Sequence, residues 1–444
     1  MNTPDNISRG MTTRTQLLLM LAFPIASLIV FAALSVRNSL ADLNAVRQAR
    51  TTIEIAVASS HLVHEQQKER GLSAGFLASN GQRFKQELTA QRQSTDAKLE
   101  QLRKLAIRID TAAAAGESLG AAATVAVESA AGLLETRPQV DGLAIKPGES
   151  IARYTAAITA GLEVISSVAK GASDAQLARD ATAYLMLANA KEYAGRERAN
   201  LNAAFAANAF DPESYRRFVG IVAGHDLYLQ AFRTYATAQT ASAYDATVQG
   251  SDADLVARLR KVAQENALAG AFNVDPALWF KAATARIDLM KAVEGKMDEH
   301  FSALLDGHES SAMRMLLITL GASVLSILAA LVVGAAVIRK LLRRLGGEPA
   351  DVRDVMHRLS DGDLSVSIDT RVDDTESMAH AIKAMIEKLR AIIGEVRSAA
   401  DNLSNASGQV SATAQSLSQS ASEQAASVEE STASMEEMSA SIVQ

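Results

Sequence analysis

Two segments of this 444-residue chain place an arginine directly after a glutamate and follow it with a small residue. One reads Gln67-Lys68-Glu69-Arg70-Gly71-Leu72-Ser73. The other runs from Lys191-Glu192 through Gly195 to Arg196-Glu197-Arg198-Ala199. A guanidinium keeps its charge at every physiological pH, and its planar fork matches a planar oxyanion. A small neighbour lets helices approach closely and leaves room for something small beside the guanidinium. If the two segments face each other, Arg70 and Arg198 point into one cavity from opposite sides. Two buried arginines repel and carry a desolvation cost. Two arrangements relieve it: a bound anion, or an internal network in which Glu69 and Glu197 pair with the opposite arginines.

A second carboxylate pattern closes the chain. From about 405 to 444 the sequence is almost entirely Ala, Ser, Gln and Glu, with the pairs Glu429-Glu430 and Glu436-Glu437 flanked by small residues. Glu423, Glu430 and Glu437 are spaced by whole heptads and share one stripe of a supercoiled helix. That stripe is either a solvated coiled-coil face or a row of side chains left open to an approaching enzyme. Other chemistry is sparse. His61 and His64 lie three apart without the spacing of a metal-binding helix motif, so packing or surface histidines are expected. Trp279 and Phe280 read as core. No phosphate loop, nucleophile elbow or kinase signature occurs, so no catalytic residue, cofactor or metal is expected and the chain does not read as an enzyme.

The elements that must position these residues are helical. The chain has no cysteine, 4% aromatics and 7 prolines, the composition of long helices, and its net charge of −6 argues against nucleic acid as a partner. Residues 15–36 and 315–338 are each apolar over the roughly 20 residues a helix needs to cross a bilayer. The first is longer than a signal-peptide core, which favours an uncleaved anchor. Arg9 and Arg14 precede it, and Arg339, Lys340, Arg343 and Arg344 follow the second. Both ends are therefore expected in the cytoplasm, with 37–314 outside the bacterial inner membrane, in a periplasm.

That outer stretch reads as helix nearly throughout, with no alternating run for a strand. Breaks are expected at Asn80-Gly81, Gly116, Arg137-Pro138, Pro147-Gly148, 171–174, Asp211-Pro212, 250–252 and Asp275-Pro276. Ser251 and Asp275 serve as expected N-caps. The fold class is all-α: one helical bundle, or two stacked.

The string 67–73, Arg153-Tyr154-Thr155-Ala156-Ala157-Ile158 and the segment 191–199 together resemble the nitrate- and nitrite-sensing (NIT) domain. The resemblance covers roughly 45–300. It implies an all-helical sensor in which arginines from several helices hold nitrate or nitrite: Arg70 and Arg198 on the matching positions, and Arg196 as an added cation. A third helix should supply another arginine, from among Arg233, Arg258 and Arg286, with Arg233 in its aromatic-rich segment preferred.

Past the second apolar segment, Leu345-Gly346-Gly347-Glu348-Pro349 opens a short helical pattern, and Gly362-Asp363-Leu364-Ser365 connects it to a second one from about Asp374. This resembles a HAMP domain over 339–396, which implies a parallel four-helix bundle in a homodimer. Val352, Val355 and Leu359, then Met378, Ile382, Met385 and Leu389, form the expected stripes. The glutamate pairs of 397–444 resemble the methylation helix of methyl-accepting chemotaxis proteins. That implies a chemoreceptor with Glu423, Glu430 and Glu437 as substrates of a methyltransferase and a methylesterase. It also implies a hairpin tip, beyond Gln444, for a histidine kinase and coupling protein. The rival readings are a receptor for another small anion or carboxylate, and an outer interaction module whose arginines are structural.

Overall fold

The structure, a computed structural model, describes residues 13–109, 114–172 and 174–442. The N-terminal segment with Arg9, Ser173 of the expected turn, and the last two residues lie outside these. All regular structure among the described residues is helical: α1 (Thr13–Ala78), α2 (Lys85–Ala106), α3 (Ala114–Asp141), α4 (Pro147–Gly171), α5 (Ala175–Ala207), α6 (Pro212–Tyr235), α7 (Ala238–Thr247), α8 (Ser251–Glu265), α9 (Pro276–Leu345), α10 (Pro349–Ser360) and α11 (Met378–Ile442). The fold is all-α, as composition requires. The chain divides into two compact units, Ser35–Thr319 and the remainder before Leu34 and after Leu320.

The unit Ser35–Thr319 has two principal hydrophobic cores. The larger takes Ile55, Leu62, Ile158, Ile165, Tyr184, Leu187, Met290 and Val293 from α1, α4, α5 and α9. The smaller gathers Leu201, Phe205, Phe218, Val256 and Trp279 where the C-terminal end of α5 meets α6, α8 and the start of α9. Both cores draw on α5 and α9, so these helices tie the bundle together. Several caps follow from local sequence. Asp211 accepts from the backbone N–H of Ser214 at 2.9 Å in a capping box with Pro212 next in line. Asp275 accepts from Ala277 N–H. Thr237 caps α7 by accepting from Thr240 N–H.

Three expected breaks differ. Pro138 lies inside α3, which runs on to Asp141. A proline near a helix end forfeits one backbone bond. The chain turns instead at Gly142 and Leu143, the latter left-handed at φ 55°, and Arg137 in the same turn is held by Glu69 at 2.8 Å. Gly116 falls in the first turn of α3. At α8 the cap residue is Gly250, whose φ of +106° lets the chain enter, and Ser251 is already helical.

In the other unit, apolar stretches of α1 and α9 are long and apolar enough to cross a membrane, with only 6% of each stretch buried. They touch where Gly334 meets the Leu21 side chain. Beyond them, α10 and α11 enclose a small core of Val352, Val366, Ile368, Ala379, Ile382 and Ile386, with Val355 and Leu359 against it. The buried stripe of α11 is thus offset from the expected one. Met378, Met385 and Leu389 stay exposed because the connector residues Val366 and Ile368 pack on the Ala379–Ile386 side. The second helix begins at Met378, not Asp374. Asp374 instead accepts from Ser377 N–H, and Ser377 Oγ accepts from His380 N–H at the first turn. The remainder of α11 is one exposed helix to Ile442.

Gly161 of α4 lies so close to α1 that an added Cβ would sit 2.5 Å from Val63 Cγ2, and Ser59 Oγ donates to its carbonyl at 2.8 Å. Gly132 of α3 has open space around it. Gly161→Val should cost about 1–3 kcal/mol through overpacking, and Gly132→Ala should leave stability equal or raise it by up to about 1 kcal/mol through helix propensity. Thermal unfolding followed by circular dichroism distinguishes the two.

Candidate functional site

α1 and α5 cross at their two small-residue motifs, and the contact is reciprocal. Arg70 of α1 lies over Gly195 of α5, where a Cβ would be 3.3 Å from Arg70 Nη2. Arg198 of α5 lies over Gly71 of α1, where a Cβ would be 3.0 Å from Arg198 Nη2. Each glycine makes room for the other helix's guanidinium. The structure therefore brings Arg70 and Arg198 together from opposite sides, both buried.

Their partners differ from the expected internal network. Successive residues on a helix point about 100° apart, so Glu69 and Arg70 face different neighbours, as do Glu197 and Arg198. Glu69 turns to α3 and α4, accepting from Arg137 at 2.8 Å and from the Tyr154 hydroxyl at 2.6 Å. Glu197 turns to α8 and α9, where Arg260 and Arg286 hold it. Arg70 instead grips Glu192 of α5 with both Nη atoms, at 2.6 and 3.0 Å, and its Nη1 donates to Thr155 Oγ1 at 2.9 Å. Gln67 adds a bond to the same carboxylate. Arg196, one helical turn after Glu192, donates to it at 2.7 Å and stacks over the Tyr193 ring. Burial works to raise the Glu192 pKa, but Arg70 and Arg196 outweigh it and hold the carboxyl below its ordinary range.

Arg198 stands apart. It is 8% exposed, and no carboxylate lies within ion-pair distance of it among the described residues. Its Nη1 donates to Thr284 Oγ1 at 2.8 Å, and its guanidinium lies 4.7 Å from the Phe280 ring centre. Asp288, one turn beyond Thr284, acts on it only at longer range. Burial first, and then the neighbouring Arg70 charge, push the Arg198 pKa down to about 10, so it stays charged at neutral pH. Phe280 therefore does not join the core as expected, whereas Trp279 does and donates Nε1–H to the Arg198 carbonyl at 3.0 Å.

The expected third arginine is not brought to this place. Arg233 sits on the surface of α6, paired with Asp245 of α7 at 2.6 Å and lying over Tyr244. Arg286 serves Glu197, and Arg258 is exposed on α8. Glu192, Thr155, Thr284 and Phe280 were missed. Glu192 was readable as the i, i+4 partner of Arg196, and Thr155 sits in the 153–158 string. Glu423, Glu430 and Glu437 lie exposed along α11.

Beside Glu192 in sequence, Lys191 belongs to a second charged group that is fully enclosed. Lys191 Nζ meets Glu294 of α9 at 2.6 Å, and Lys291 and Ser60 reach the same carboxylate at 3.1 Å. Lys191 and Lys291 outweigh the burial that would raise Glu294 and hold it down to about 2. His64 of α1 is buried beside this group, and burial followed by the Lys191 charge pushes its pKa down to about 3. His61 instead bonds Asp298 at 3.0 Å. Among the described residues no cluster of three His, Asp or Glu side chains could hold a metal.

A histidine neutral in the fold but of ordinary pKa when unfolded binds fewer protons in the native state, so stability falls as pH drops from 6.5 toward 3. Loss from Glu294 begins only below 4.5. Denaturant midpoints between pH 6.5 and 4.5 should fall with a slope of up to about 1.4 kcal/mol per pH unit from this group. The slope should decrease in His64→Gln, leaving the part that comes from His225, which burial also holds below its ordinary pKa.

The family described as nitrate and nitrite sensing matches residues 61–302. A solved structure of the NasR transcription antiterminator is similar in fold, with a TM-score of 0.54 at 22% identity, over 80% of this chain and 95% of that one. No curated protein matches. The matched stretch holds both glutamate–arginine motifs, their crossing and the helices that enclose it, and it spans more than half of the sequence: the chain belongs to the nitrate and nitrite sensing (NIT) family.

Proposed function

We propose that this protein is a transmembrane chemoreceptor that binds nitrate or nitrite where α1 crosses α5. The observation that carries the reading is Arg198: a buried guanidinium beside a second one, with no carboxylate within ion-pair distance among the described residues. A buried charge without a partner is costly, and a small anion supplies what is missing. Nitrate suits the place because it is planar, singly charged and loosely hydrated. Arg198 would hold it through charge-assisted bonds, with the Phe280 face as an apolar wall and Thr284 fixing the guanidinium. Arg70 and Arg196 would act beside it through their field, and Arg233 would lie outside the site. The protein works by binding and relay, not as an enzyme.

In this reading the apolar stretches of α1 and α9 cross the bacterial inner membrane with 37–314 in the periplasm. The cluster Arg339, Lys340, Arg343 and Arg344 supports the orientation. α1 carries Arg70 and one apolar stretch on a single helix, and α9 carries Thr284 and the other. An anion that favours one packing of α1 against α5 then biases helices that continue into the bilayer, a population shift. Residues 339–396 act as a HAMP relay. A second copy of the chain would cover the exposed Met378, Met385 and Leu389 in a homodimer. Glu423, Glu430 and Glu437 would be methylated and demethylated for adaptation by a methyltransferase and a methylesterase, with a histidine kinase and coupling protein as the output partners.

One observation favours a second reading. Arg70 is fully engaged by Glu192, as a structural arginine in an interaction module would be. Calorimetry on the full chain in detergent separates the two. Nitrate should bind, and Arg198→Ala should weaken it about 10- to 100-fold, the worth of one charge-assisted bond. Unaltered affinity in both Arg198→Ala and Arg70→Ala would remove the site. In cells with an active methyltransferase, mass spectrometry should find methyl esters at the three glutamates, and their absence would count against the output.

A further inference from the structure

We propose that Glu192 sets the valence of the anion this site accepts, restricting it to monovalent oxyanions; the inference rests on the anion-binding reading above. Three guanidiniums converge here, and Glu192, 1% exposed, is the carboxylate that touches any of them. Arg196 is one-third exposed and screened by water. Within the buried part, Arg70 and Arg198 touch a single carboxylate, Glu192, while Asp288 acts on Arg198 only from beyond contact distance, so one guanidinium is left with no anion in contact. A monovalent anion completes the balance. A divalent one overshoots it and places an extra negative charge beside a carboxylate that is held ionised.

The geometry adds direction to this count. Both Nη atoms of Arg70 are committed to Glu192. Arg198 has only Nη1 engaged, by an uncharged hydroxyl. The ligand is thus drawn to Arg198 while Glu192 stands across the Arg70 guanidinium and repels it. Coulomb energy is proportional to ligand charge. To first order, removing the Glu192 charge multiplies the affinity of a dianion by the square of the factor gained by a monoanion. Size alone would act otherwise, excluding a tetrahedral anion whatever its charge.

Perchlorate and sulfate have nearly the same shape and differ in charge, so their ratio isolates valence. With the full chain in detergent, isotherms for nitrate, perchlorate and sulfate would be measured on the wild type, Glu192→Gln and Arg196→Gln, each checked for folding by circular dichroism. The wild type should bind nitrate and prefer perchlorate over sulfate. Glu192→Gln should reduce that preference at least tenfold. Arg196→Gln, which removes a positive charge from the same carboxylate, should widen it, and it carries the test if Glu192→Gln fails to fold. Nitrate binding with an unchanged perchlorate-to-sulfate ratio in the folded variants overturns this inference and leaves the receptor reading intact. No anion binding to the wild type removes both.

Discussion

Two glycines, Gly71 and Gly195, let α1 and α5 approach closely enough that each helix lays an arginine across the other's backbone. Everything else about the site depends on this crossing. A larger side chain at either position would push away the guanidinium that lies 3.0 to 3.3 Å from where its Cβ would be. The crossing also explains why neither arginine meets the acid beside it in sequence. Each points along the interhelical seam, while Glu69 and Glu197 point outward to other helices. Local sequence puts the charges side by side, and helix geometry then separates them.

The surrounding bundle handles buried charge by one repeated device. Among the described residues its four buried glutamates are each gripped by two cations: Glu69 by Arg137 and Arg92, Glu192 by Arg70 and Arg196, Glu197 by Arg260 and Arg286, Glu294 by Lys191 and Lys291. Replacing such groups by apolar residues often costs nothing in stability, but leaving one of them unpaired costs a great deal. The network therefore fixes which helix faces which, since any other register strands a charge. Arg198 departs from the rule, held by a threonine and an aromatic face in place of a carboxylate. A bundle that pairs its other interior arginines gains nothing in stability from leaving this one open. Sites that violate the local rule are where function is to be sought.

The same network joins the site to the long helices. Arg198 reaches α9 through Thr284, Glu197 through Arg286, and Lys191 through Glu294. α5 is thus pinned to α9 over several turns, and to α1 through Arg70 and the crossing itself. The arginine pair is thereby in contact with two helices of 66 and 70 residues.

Much of this was legible in residues alone. The scarcity of aromatics, the cap Asp275, the break at Asp211-Pro212, the two apolar stretches and the paired glutamate–arginine segments are local signals, and local signals specify helices. The repeated context of Arg70 and Arg198 raised their meeting as a condition, that the two segments face each other, which the fold meets. Their partners were not legible there, because an ion pair between α1 and α5, over a hundred residues apart, depends on rotation about each helix axis, which periodicity leaves open. For the same reason Arg233 reads as a site residue in sequence and lies with Asp245 in space. Met378 and Met385 of the expected stripe are likewise exposed in the single chain, where Val366 and Ile368 pack on Ala379, Ile382 and Ile386. By itself, then, the sequence determined the helices, many of their ends and the kind of charge at each motif, since these depend on neighbours within a few residues. Only the tertiary structure decided which acids were already taken, and so which buried arginine was left without a carboxylate in contact, because buried charges are matched through space and not along the chain.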